Sequence, residues 1–75
     1  MTPPDLLEFE RRHPGHPPGK ETRIIQELGI SPPRYYQLLL RAATSPEGIA
    51  SDAMTARWVR ERSARRAAAR ERRIA

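Results

Sequence analysis

The sequence predicts an all-α fold: a small helical bundle containing a helix-turn-helix, with an extended basic C-terminal helix or arm. Three observations lead there. Apolar residues recur at i, i+3 and i+4 between breakers, the spacing of one helix face. A hydroxyl residue followed by proline marks a helix start at Thr2-Pro3 and at Ser31-Pro32, and Gly29 marks a stop. No segment reads as a strand or as an internal repeat.

Thr2-Pro3-Pro4-Asp5 opens the first helix: the threonine caps it, proline fits the first turn, and aspartate stands near the positive end of the dipole. The helix is expected to run to Arg12 and to bury Leu6 and Phe9 with help from Leu7. His13 to Gly19 holds three prolines and two glycines in seven residues, which predicts a stiff, extended connection. Lys20 to Leu28 is the next helix, with Ile24, Ile25 and Leu28 at helical spacing and Gly29 at its C-terminal end. Ser31 caps the third, in which Tyr35, Leu38, Leu39 and Ala42 form a buried stripe. Tyr35 is expected in the core with its hydroxyl at the rim, and Tyr36 outside it. Thr44-Ser45-Pro46-Glu47-Gly48 breaks this helix. Ser51 or Asp52 caps a last one holding Met54, Trp58 and Val59, with Trp58 as the pin that fastens it to the bundle.

A chain of 75 residues makes one small domain, whose core supplies roughly 3–5 kcal/mol net. There is no cysteine, so no disulfide or thiolate-zinc staple helps, and a reducing, cytoplasmic home is expected. Met-Thr-Pro-Pro-Asp lacks the basic and apolar regions of a signal peptide, and Leu38-Leu39-Leu40 is far short of a membrane span.

Charge is divided unevenly. Residues 1–52 carry six basic and seven acidic side chains, while residues 53–75 carry eight arginines against Glu61 and Glu71. Residues 1–61 are therefore expected as the helical domain, with the helix-turn-helix at 21–41. Residues 62–75 are expected as a basic arm, either a solvated alanine-arginine helix or a segment ordered on binding. Placed at 100° per residue, its arginines fall all round the axis, unlike an amphipathic membrane helix. Such a layout favours a polyanionic partner, nucleic acid ahead of a membrane surface.

The segment 21–41 carries the most information. Counting Glu21 as position 1, the hydrophobic positions 4, 8, 10, 15 and 18 of a helix-turn-helix fall on Ile24, Leu28, Ile30, Tyr35 and Leu38. Gly29 sits at the turn, where a left-handed backbone is needed. Ile25 stands where small residues let two helices cross closely, which predicts a wider crossing or a shifted register. With Tyr35, Leu38, Leu39 and Ala42 inward, the second helix presents Pro33, Gln37 and Leu40, flanked by Arg34, Arg41 and Tyr36. Gln37 has the fork for adenine, arginine suits guanine or phosphate, and Tyr36 can bond a phosphate. The expected nucleic-acid contacts are therefore Arg34, Tyr36, Gln37 and Arg41, with Arg57, Arg60, Arg62, Arg65, Arg66, Arg70, Arg72 and Arg73 along the basic stretch. His13 and His16 have no further ligand to complete a metal site. No nucleophile-base grouping, phosphate loop or paired carboxylate suggests an enzyme, and no cofactor is expected.

Arg34-Tyr35-Tyr36-Gln37-Leu38-Leu39 resembles the defining segment of a family of small uncharacterised actinobacterial proteins. The likeness extends from Leu7-Glu8-Phe9-Glu10 through Lys20-Glu21, Leu28-Gly29-Ile30-Ser31 and Ser45-Pro46-Glu47 to the arginine-rich end. Pro33 and Leu40 depart from it, on the outer face of the second helix. The resemblance implies a helical fold and an actinobacterial or phage origin, and supplies no activity.

Two functions are weighed. The first is double-stranded DNA binding by a cytoplasmic small transcriptional regulator or nucleoid-associated factor, with modest sequence specificity unless it dimerises. The alternative is an interaction module that grips a transcription-machinery protein, RNA polymerase or a sigma factor; Glu21, Glu27 and outward Leu40 point that way.

Overall fold

The computed structural model describes residues 1–74, all of its regular structure helical; Ala75 of the expected arm lies outside the described residues. Helix α1 spans Pro3–Arg12 and α2 spans Lys20–Arg23, the latter running straight into a π-helical turn over Ile24–Leu28. Helices α3 (Pro32–Thr44), α4 (Pro46–Ser51) and α5 (Ala53–Ile74) complete the chain.

The caps explain the starts. In α1 the Asp5 amide donates to Thr2 Oγ1 at 3.3 Å and the Thr2 amide donates back to Asp5 Oδ2 at 3.1 Å, a reciprocal capping box. Those bonds hold the Asp5 carboxyl below its ordinary pKa. Ser31 caps α3 by accepting from the Arg34 amide, and Pro32 follows at the first position. Of the two candidates for capping α5 it is Asp52 that does so, accepting from the Thr55 amide at 3.0 Å and the Thr55 hydroxyl at 2.7 Å.

The core joins α1, α3 and α5: Leu6, Leu7 and Phe9; Tyr35, Leu39, Ala42 and Ala43; Ala56 and Val59, with Ile24 from the π turn. The apolar stripes of α1 and α3 are thus buried as their spacing requires, Leu38 packing at the edge.

Four local features differ from the sequence expectations. Trp58 is not the pin of the last helix; it is 56% exposed. Small and β-branched side chains, Thr55, Ala56 and Val59, form the buried face instead, and a helix seated on alanines approaches too closely to take an indole. Met54, one turn before Trp58, is exposed on the same side. The segment 20–28 is not a plain α-helix: the wider π turn leaves Ile24 fully buried and turns Ile25 outward at 55% exposure, and Gly29 ends it at φ 69°. The break at 44–48 contains a helix of its own, because Ser45 closes α3 and caps α4 through the Gly48 amide at 3.0 Å. Gly48 is required by contact: a Cβ there would lie 1.9 Å from the Ala42 carbonyl oxygen. Finally, residues 13–19 fold back on α1 rather than extend, for a reason found in Glu10.

Candidate nucleic-acid interface

The arginines of α5 are placed by one buried carboxylate. Glu10 lies one turn after Leu6 on the apolar face of α1 and is 3% exposed. Its Oε1 accepts from Lys20 Nζ at 2.6 Å and from the Tyr35 hydroxyl at 2.7 Å. Its Oε2 accepts from the Gly15 amide at 3.1 Å and from an Arg62 guanidinium nitrogen at 3.1 Å. Four donors saturate the carboxylate. Lys20, equally buried, donates a second bond to the Gly15 carbonyl at 2.7 Å and stands over the rings of Tyr35 and Tyr36. Gly15 offers both its amide and its carbonyl because its φ is +74°. The proline-glycine loop is thereby tied to α1, α2 and α5 at once.

Burial sets the titration of this cluster. It pushes the Lys20 ammonium down, against the hydrogen bond and charge of Glu10 that raise it. It drives the Tyr35 hydroxyl far above the ordinary phenol range, reinforced by the Glu10 charge, so Tyr35 serves only as a donor. The Tyr35 hydroxyl is therefore a buried working group and not a rim contact.

A second contact lies one turn further along α5. The His16 ring stands between Arg66 and Tyr36, with Nδ1 2.9 Å from the Tyr36 hydroxyl and Nε2 against the Arg66 guanidinium. Arginine can only donate, so Nε2 accepts, and the ring proton of neutral His16 sits on Nδ1 and donates to Tyr36 Oη. A second proton would face Arg66 directly. Partial burial and then the charges of Arg66, Arg62 and Lys20 push the His16 pKa below 6.5, Glu10 opposing. His13 instead lies against the Phe9 ring, at 4.8 Å between centroids.

The expected contact residues now divide by position. Arg60 donates to the Ala43 carbonyl at 2.7 Å, satisfying the C-terminal end of α3. Arg62 is committed to Glu10, and Arg66 and Tyr36 to His16. Arg57 pairs with Glu61 at 2.9 Å on the exposed side. Arg34, Gln37 and Arg41 are exposed on α3, with Arg34 3.5 Å from Gln37 Oε1. Arg65, Arg70, Arg72 and Arg73 are exposed and form no ion pair among the described residues. The stretch from residue 62 is the continuation of α5, and its last side-chain hydrogen bond to the body, among the described residues, is that of Arg66.

Glu10, Lys20 and His16 escaped the sequence reading. A signal for Glu10 existed: it falls four residues after Leu6 and three after Leu7, so a carboxylate sits on an apolar stripe and needs a donor. Nothing local identified the donors, which come from residues 15, 20, 35 and 62.

Fold and site together define a small all-helical protein whose C-terminal helix is fastened by a buried ion network and then carries free arginines outward. The chain belongs to the family described as Protein of unknown function (DUF3263), which matches residues 3–73. No curated protein and no solved structure matches it. Among the described residues no helix is long and apolar enough to cross a membrane.

Proposed function

We propose that this protein binds double-stranded DNA as a small transcriptional regulator or nucleoid-associated factor. In this reading α2, its π turn and α3 act as a helix-turn-helix, presenting Arg34, Gln37 and Arg41 to the major groove, and the outer turns of α5 hold phosphates. One observation carries it: Arg65, Arg70, Arg72 and Arg73 are exposed with no carboxylate partner among the described residues, on a helix long enough to follow a backbone. Arg60, Arg62 and Arg66 each spend a donor on the body and so set the direction of α5. The test is fluorescence anisotropy of the full chain on random duplex DNA, titrated with salt. Replacing Arg65, Arg70, Arg72 and Arg73 together by glutamine lowers the log–log salt slope by about 3 to 4 units, at roughly 0.9 per phosphate. Absence of binding below about 100 μM at physiological salt, where non-specific binders register, sinks the reading.

A second reading is favoured by the exposure of Trp58 and Met54 one turn apart, with Leu40 also exposed on α3. Here the same chain grips RNA polymerase or a sigma factor. Loss of binding to the purified partner in Trp58→Ala or Leu40→Asp, with DNA affinity unchanged, would establish it in place of the first.

A further inference from the structure

Between α3 and α5 runs an open groove of about 170 Å³, room for several waters at about 30 Å³ each. Tyr36 and Leu40 line it from α3, and Arg62, Ser63, Arg66 and Arg70 from α5. The three arginines follow one another at i, i+4 and i+8, so their guanidinium groups sit side by side on one face of the helix. Like charges at that spacing repel, and few carboxylates relieve them. Glu10, the nearest, is saturated by its four donors, one of which is the cation Lys20. Glu21, whose field reaches Tyr36, is exposed on α2. Lys20 and the three arginines still outnumber these two acids. The downward push that Arg62 and Arg66 exert on His16 reports the same positive field.

The donors are nonetheless available. A guanidinium has five N–H groups; Arg62 spends one nitrogen on Glu10 and Arg66 one on His16. Arg70 makes no hydrogen bond or ion pair among the described residues. Ser63 lines the same space.

We infer that the α3–α5 groove is a site for one phosphoryl group, held by Arg62, Arg66 and Arg70 with the Ser63 hydroxyl. Planar guanidinium forks match the oxygens of a phosphoryl group, whereas chloride offers no such directions. The group can come from a nucleic-acid backbone or from a free phosphate ester, and the site does not depend on the duplex reading.

The experiment is thermal denaturation of the full chain in sodium phosphate against sodium chloride at equal ionic strength, with ³¹P line broadening as a direct readout. Phosphate should raise the melting temperature in a saturable way beyond chloride, as a ligand of the native state does. Arg70→Gln, which touches no bond of the body, should weaken phosphate binding about tenfold, the worth of one charge-assisted hydrogen bond. Arg11→Gln, which removes the same charge from exposed α1, should change it less than about twofold. Equal effects of phosphate and chloride, or equal losses in the two variants, overturn the site. Duplex DNA added to the phosphate-loaded protein then identifies the source. Release of phosphate assigns the site to a backbone phosphodiester, and DNA bound beside retained phosphate assigns it to a free ester. Phosphate binding without any DNA binding supports the groove and removes the duplex reading alone.

Discussion

Between Ala53 and Arg66, helix α5 is fastened to the body: Thr55, Ala56 and Val59 are buried, Arg60 caps α3, Arg62 meets Glu10 and Arg66 meets His16. From Ala67 onward the same alanine-arginine composition continues, and the arginines find no carboxylate among the described residues. The two stretches differ in what lies opposite them. Where an acceptor of the body faces the helix, arginine becomes part of the fold; where none does among the described residues, it remains a cation open to a polyanion. Charge counted along the sequence cannot separate the two, because a guanidinium looks the same in either place.

The largest expected effect breaks the fastened stretch at its centre. Glu10→Ala leaves Lys20 buried without its anion and removes the acceptor of Tyr35, Gly15 and Arg62. Losing one partner of a buried pair costs about 3–5 kcal/mol, comparable with the whole stability of so small a core. The variant should show little native helicity by circular dichroism at room temperature; a native spectrum with an unshifted melting temperature would deny the network its role.

A single methyl group makes a similar test on the body. Gly48→Ala drives a Cβ into the Ala42 carbonyl, a backbone atom that cannot swing aside, at a cost of about 2–3 kcal/mol in urea denaturation. An added methyl on the outer turns of α5, as in Ala67→Val, should cost only about 0.5 kcal/mol, the difference in helix propensity. Equal costs would erase the contrast between the two regions.

Tyr35→Phe keeps the ring and deletes only the bond to Glu10, so it should cost about 2 kcal/mol, as hydrogen bonds to charged groups do. A neutral result would mean that the ring alone, set edge-on to Phe9, holds α3.

Acid should loosen the fastened stretch through His16. Its folded pKa is lowered by burial and then by Arg66, Arg62 and Lys20, so the unfolded chain binds the proton more readily. The stability it contributes is complete above pH 6.5 and is lost as pH falls below that value toward its folded pKa. Asp52, lowered by its bonds to Thr55, adds a separate loss when pH falls through its own folded pKa, below 3.8. His16→Gln should flatten the stability profile below pH 6.5 and leave the lower step intact. An unchanged profile would show that the Arg66 contact does not bear on the fold. Smallest of all is Trp58→Ala, which removes an exposed indole and should change stability by less than about 0.5 kcal/mol; a cost of several times that would restore the tryptophan as a pin.

Much of the fold was legible in the sequence because its helices are bounded by local chemistry. Thr2, Ser31 and Gly29 act through neighbours three or four residues away, and the stripes of α1 and α3 follow from spacing. The π turn, the short α4 and the outward Trp58 were not legible; the last depends on how closely α5 packs on the body, which alanines at 42, 43 and 56 decide only once they meet. The candidate interface was legible as charge and illegible as structure. Glu10 reaches residues five to fifty-two positions away, and no periodicity links His16 to Arg66.

The central claim, that acceptors inside the body divide the arginines of α5 into two roles, is tested most directly by measuring stability and DNA salt slope together in two variants. Arg72→Gln/Arg73→Gln should keep the wild-type melting temperature and lower the salt slope by about two units, at roughly 0.9 per phosphate. Arg60→Gln, which loses the bond to the Ala43 carbonyl and lies outside the α3–α5 groove, should lower the melting temperature and leave the slope within about half a unit of wild type. The opposite pattern, a slope carried by Arg60 and unaffected at Arg72 and Arg73, would contradict the account.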